Sequence, residues 1–131
     1  MSRRIAQIAL LVRDYDEAIV WYRDVLDFVV REDGDPGGGK RWVRVAPRAD
    51  AAFALLLAKA TTPEQTARIG DQHGGRVGFF LHTDDFARDH ARLVAHGAGL
   101  ETAPRHEDYG TVVVFRDLYG NRWDLIGPRV A

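Results

Sequence analysis

The sequence contains no cysteine. That removes disulfides, thiolate nucleophiles and thiolate metal ligands, and fits a reducing, cytoplasmic setting. It has almost no net charge, −1 over 131 residues, so there is no general electrostatic case for nucleic acid or acidic lipid as a partner. No apolar run approaches the roughly 20 residues that a membrane helix needs, and Met1-Ser2-Arg3-Arg4-Ile5 lacks the apolar stretch of a secretory signal. No phosphate-binding loop, zinc-protease helix or Ser-His-Asp order is present. The glycines of Gly34-Asp35-Pro36-Gly37-Gly38-Gly39 are followed by no helix, so they form a flexible loop and not a phosphate cradle.

What remains is an ordinary globular composition, 46% apolar and 28% charged, of a length for one domain with one core. Ile5 to Val12 reads as a strand. Asp14 or Asp16 offers an N-cap to an amphipathic helix carrying Tyr15, Ala18, Ile19, Tyr22, Val25 and Leu26. Strands follow at Phe28 to Arg31, Arg41 to Ala46 and Phe53 to Ala58. Thr62-Pro63-Glu64-Gln65 starts a short helix, with Thr62 as cap, Pro63 at the first position and Gln65 closing a capping box. Asp71 to Gly75 reads as a linker.

The order then begins again. Arg76 to Thr83 is a strand, and Thr83 or Asp84 caps a helix with Phe86, Leu93 and Val94 on its apolar stripe. Leu100 to Thr102 is a short strand and Pro104 to Asp108 a polar loop. Val112 to Phe115, a turn over Asp117 to Asn121, and Trp123 to Ile126 form a closing hairpin. Gln7 to Tyr15 lies over Gly78 to Phe86, an offset of 71 residues by direct subtraction. The chain therefore reads as an internal repeat of strand, helix and three strands: module one about 4–60, a linker with a short helix about 61–75, module two about 76–128. Two curved sheets of this kind can enclose a cavity for a small ligand.

Several residues carry chemistry. On the closing strand Arg122, Asp124 and Ile126 share one face and Trp123 and Leu125 the other. Asp124 is thus a carboxylate offered either to a metal or substrate or simply to solvent. His82 on its apolar strand reads as a core histidine, with acid–base work or substrate hydrogen bonding as the alternative if it faces a cavity. Trp42 and Arg44 share a strand face, where an aromatic beside a guanidinium can hold a flat anion or pack an edge. Tyr109 belongs with His106, Glu107 and Asp108 to a loop of the kind that sets specificity, or is merely exposed. His73, His90 and His96 read as surface residues, and Trp21 and Tyr22 as core or dimer interface.

The stretch Ile8 to Ala18, with Trp21-Tyr22 and Leu26-Asp27-Phe28, resembles the first module of the vicinal oxygen chelate superfamily, which contains glyoxalases, bleomycin-resistance proteins, fosfomycin-resistance enzymes and extradiol dioxygenases. Phe115-Arg116-Asp117-Leu118-Tyr119-Gly120-Asn121-Arg122-Trp123-Asp124-Leu125 resembles its closing hairpin. The resemblance implies an α+β fold in which two βαβββ modules form an open curved barrel, a homodimer, and a small-molecule ligand in the barrel. It also implies metal ligands on the first and last strands of each module. Carried over, these fall on Gln7, Asp124, Gly78 and one of Ala54, Leu55 or Leu56, so two of the four positions have no side-chain donor. The expectation is a protein that binds a small organic molecule through Gln7, Trp42, Arg44, His82, Tyr109 and Asp124 without a metal cofactor. The alternative is a divalent-metal lyase, isomerase or dioxygenase with Gln7 and Asp124 on zinc, nickel, iron or manganese.

Overall fold

The structure, a computed structural model, describes residues 2–129. The chain divides into two compact units, the first ending at Ile69 and the second beginning at Gly70. It is α+β, and each unit holds one open sheet. No described helix is long and apolar enough to cross a membrane.

The first unit runs β1 (Gln7–Val12), α1 (Tyr15–Leu26), β2 (Val29–Gly34), β3 (Trp42–Ala46), β4 (Ala54–Lys59) and α2 (Pro63–Arg68). Its sheet order is β1-β4-β3-β2, with β1 parallel to β4 and the other pairs antiparallel. The Asp14 side chain accepts from the Glu17 backbone N–H at 2.9 Å and so caps α1. The stripe of α1 buries Tyr15, Ala18, Tyr22 and Val25 over Leu10, Val12, Val43, Val45 and Leu57. Tyr22 is core, edge-on to Trp21 and tilted against Phe28. Thr62 caps α2 with Pro63 in the first turn, but Gln65 reaches back to the N–H of Thr61, one residue before the cap.

The second unit runs β5 (Val77–His82), α3 (Phe86–Ala95), β6 (Gly99–Leu100), β7 (Arg105–Glu107), β8 (Gly110–Arg116) and β9 (Arg122–Gly127). The order is β5-β9-β8-β6, with β7 also paired to β8. Three local expectations change in this unit. The cap of α3 is Asp85, which accepts from the Arg88 N–H, while Thr83 accepts from the Asp85 N–H. Asp14 and Asp85 are separated by the same 71 residues as the repeated strands, so the repeat extends to the caps. The stretch expected as a polar loop contains β7: Arg105, His106 and Glu107 pair with Val112, Thr111 and Gly110. Polar side chains hid this pairing, because backbone groups and not side chains make it. Together β6 and β7 do the work of β2, interrupted by Glu101 to Pro104.

Phe79, Leu125, Trp123, Val113 and Phe115 form the covered face of the second sheet. Phe79 and Phe115 stack on either side of Trp123, with centroids 4.7 and 5.7 Å away. Phe86 and Leu93 of α3 are buried, and a Cβ on Gly127 would come within 2.7 Å of the Phe86 Cβ. Val94, expected on the same stripe, is exposed. It directly follows Leu93, so helical rotation turns it away.

Candidate functional site

Strand alternation sets which side chains the second sheet presents on its face opposite α3. With Trp123 and Leu125 inward, Arg122, Asp124 and Ile126 point the other way. The register lines Asp124 up with Phe80 on β5 and Val114 on β8. Ile126 stands beside His82 and Val112, and Val112 beside Arg105. Asp124 is therefore surrounded on its face by Phe80, Val114 and Ile126, with Arg122 and Arg105 the nearby cations.

The solvated reading of Asp124 does not hold. The residue is half-buried, and its Oδ1 is buried without a hydrogen-bond partner. Burial pushes the Asp124 carboxyl up from its ordinary range, and Arg105 and Arg122 only partly oppose this. Neither cation is free to neutralise it fully. Arg122 makes two hydrogen bonds to Glu101, at 2.8 and 2.9 Å, and Arg105 is hydrogen-bonded to Tyr109 and Glu107. An unpartnered buried carboxylate oxygen is costly unless something supplies a donor.

The other sequence-derived candidates divide between the units. His82, Tyr109 and Asp124 lie in the second. His82 is exposed and not a core residue. It stands on edge strand β5, diagonal to Asp124 and two residues beyond Phe80 on the same face. Tyr109 is 64% exposed in the β7–β8 turn and is linked towards Asp124 through Arg105. In the first unit, Gln7 is half-buried beside Ala54, on the same face as Ala9 and Leu56. Arg44 lies between Leu56 and Glu32 and is ion-paired with Glu32 at 2.6 Å, so its charge is already answered within the sheet. Its Nε is nonetheless buried without a partner. Trp42 is exposed on that face, opposite Gly34.

For a metal, strand register sets which positions of the two modules correspond. Phe80 pairs Asp124 as Ala9 pairs Leu56, so Leu56 is the counterpart of Asp124. Leu56 is a hydrocarbon and Gly78 has no side chain. Among the described residues no cluster of three or more His, Cys, Asp or Glu side chains is formed. The donor set does not fit a four-ligand site.

Three residues stand where the sequence does not announce them. Phe80 is 59% exposed beside Asp124; its period-two spacing from His82 was the available signal. Arg105 was placed in a loop and not on a strand reaching the same face. His73, expected on the surface, is half-buried. It packs edge-on to Phe79 at 5.0 Å and fills the space next to Gly78, where an added Cβ would lie 2.2 Å from its Nδ1.

Comparison with known proteins adds to this geometry. The profile of the Glyoxalase/Bleomycin resistance protein/Dioxygenase superfamily matches residues 4–125. An uncharacterized protein of Shewanella frigidimarina is 50% identical over 127 residues, covering 96% of this chain and 94% of that protein. The crystal structure of UcmS2 is similar with a TM-score of 0.79 at 30% identity, covering 96% of this chain and 98% of that one. TnmS3, an antibiotic binding protein from Streptomyces sp. CB03234, is similar with a TM-score of 0.76 at 28% identity, covering 97% of both chains.

Proposed function

The chain belongs to the Glyoxalase/Bleomycin resistance protein/Dioxygenase superfamily, and we propose that within it this protein binds a small organic molecule, of the kind an antibiotic-sequestering protein takes up, without using a metal. The observation that carries the reading is the Asp124 Oδ1, buried and unpartnered on a sheet face otherwise made of Phe80, Val114 and Ile126. Such a face suits a ligand with an apolar or planar body and one N–H or O–H group. The body covers Phe80 and the aliphatic side chains, and the donor satisfies Asp124. Exposed His82 and Tyr109 border the same face and supply further polar contacts. The likeness to an antibiotic binding protein supports the ligand class. The donor set supports the metal-free form, since Gly78 and Leu56 bring no ligand atoms.

The test is a thermal-shift and calorimetry screen with planar aromatic antibiotics, doxorubicin among them, and with metal-free bleomycin. A specific ligand raises the unfolding temperature, and the rise grows with the logarithm of its concentration once that exceeds the dissociation constant. Asp124→Ala is expected to weaken binding by about tenfold or more, the loss of one charge-assisted hydrogen bond. Near-stoichiometric zinc, nickel, iron or manganese in protein purified without chelator, abolished by Asp124→Ala, would overturn the metal-free reading. It would favour a lyase, isomerase or dioxygenase instead.

A further inference from the structure

The first unit contains a recess of about 320 Å3, within the usual size range of small-ligand pockets. Its apolar wall is made by Leu11 near the end of β1, Ala58 near the end of β4 and Tyr15 at the start of α1. Lys40, Lys59 and Gln65 supply its polar side. The backbone of Gly38 and Gly39 also borders it; left-handed φ values of 72° and 77° there bring the chain round to Lys40 at a conformation other residues adopt poorly.

Many charges of this unit, including those next to the recess, are paired. Arg13 holds Glu17, Arg44 holds Glu32 and Arg48 holds Asp50. Arg41, next to Lys40, holds both Asp33 and Asp16 and lies over the Tyr15 ring at 5.3 Å. Among the described residues, Lys40 and Lys59 enter no ion pair, and no carboxylate lines the recess. The Gln65 carbonyl already accepts from the N–H and hydroxyl of Thr61, which leaves its amide N–H groups as donors. Two unanswered ammonium groups and an amide thus stand over an apolar wall.

From this arrangement we infer a second binding site, for a small organic anion. Its carboxylate or phosphate head lies between Lys40 and Lys59, and its apolar or aromatic body lies against Leu11, Ala58 and Tyr15. Ammonium groups on flexible stems suit either head as point charges. The site uses none of the residues around Asp124 and calls for an anionic head where that face calls for a hydrogen-bond donor, so it stands or falls independently of the function proposed above.

The experiment is a backbone-amide NMR titration of the full chain with sodium benzoate, phenyl phosphate and inorganic phosphate at constant ionic strength. Benzoate or phenyl phosphate should move Gly38, Gly39, Lys40, Lys59 and Thr61 saturably, and the tighter of the two identifies the head group. Inorganic phosphate, lacking the body, should bind at least about tenfold more weakly. Lys40→Gln with Lys59→Gln, both exposed positions, should weaken the organic anions at least about tenfold and leave the unfolding temperature unchanged. Asp124→Asn should leave the titration as it is. The inference is overturned if neither organic anion gives saturable shifts, if the double variant binds as well as the parent, or if inorganic phosphate binds as tightly as phenyl phosphate.

Discussion

The indole N–H of Trp123 donates to the Asp117 carboxylate at 3.1 Å, joining the core of the second sheet to the turn that precedes it. Asp117 is buried and also accepts from the backbone N–H groups of Tyr119 and Asn121 and from the Asn121 side-chain amide. A residue expected only to favour a turn is therefore the acceptor on which the closing hairpin converges. Asp117→Ala strands at least three buried donors at once, and the expected loss is about 2–4 kcal/mol. Urea unfolding measures it. Asp117→Asn, which keeps one acceptor oxygen, should lose less.

Gly78 and His73 should behave as one unit. An Ala at position 78 would place its Cβ 2.2 Å from His73 Nδ1, so the imidazole has to leave its edge-on contact with Phe79. Gly78→Ala is expected to cost about 1–2 kcal/mol through overpacking. His73→Ala alone should lose about 1 kcal/mol of aromatic contact. In the His73→Ala background the cost of Gly78→Ala should largely vanish, a coupling of about 1 kcal/mol in a double-mutant cycle. Additive losses would show that the ring does not fill that space.

The raised pKa of Asp124 fixes the sign of a pH effect. A carboxyl that holds its proton more tightly when folded imposes no penalty below its unfolded pKa. The penalty grows as pH rises from there through the folded pKa, and above both it is complete. In ligand-free protein, Asp124→Asn should thus match the parent at acidic pH and be the more stable of the two at pH 7. Unfolding temperatures of both proteins across pH 3 to 8 give the comparison. A gap that narrows with rising pH would contradict the burial of Oδ1.

The architecture was legible because it rests on repeated local chemistry. The strand–helix pattern recurring at 71 residues, the Asp14 cap and the turn residues Asp117, Gly120 and Asn121 all act within a few positions of themselves, whereas the α3 cap falls on Asp85 and not on Thr83 or Asp84. The site was less legible because its properties arise across strands. Nothing in the run Arg105-His106-Glu107 announces a strand, and the pairing with β8 is what carries Arg105 to the face of Asp124. The burial of Asp124 Oδ1 depends likewise on neighbours drawn from β5 and β8. His73 became legible only through the missing side chain of Gly78, five residues away.

Removal of metal should leave the protein unchanged if its ligand is bound by Asp124 directly. Extensive dialysis against EDTA is expected to shift neither the unfolding temperature nor the affinity for a ligand found in the screen. A fall of several degrees, restored by one added divalent ion, would instead assign Asp124 Oδ1 to a metal.

Phe80 provides a separation of stability from binding. At 59% exposure on edge strand β5 it contributes little to the core, unlike its neighbour Phe79, which stacks on Trp123. Phe80→Ala should therefore change stability by less than about 0.5 kcal/mol. The same ring lies directly across from Asp124, where a planar ligand held by the carboxylate would rest on it. Losing an aromatic contact of about 0.5–1.5 kcal/mol raises the dissociation constant roughly two- to tenfold. Calorimetry with the antibiotic that binds the parent protein reads this directly. Phe79→Ala should show the reverse pattern, a loss of about 3 kcal/mol or more in stability. A Phe80→Ala protein that unfolds early but binds normally would place the ligand on some other face.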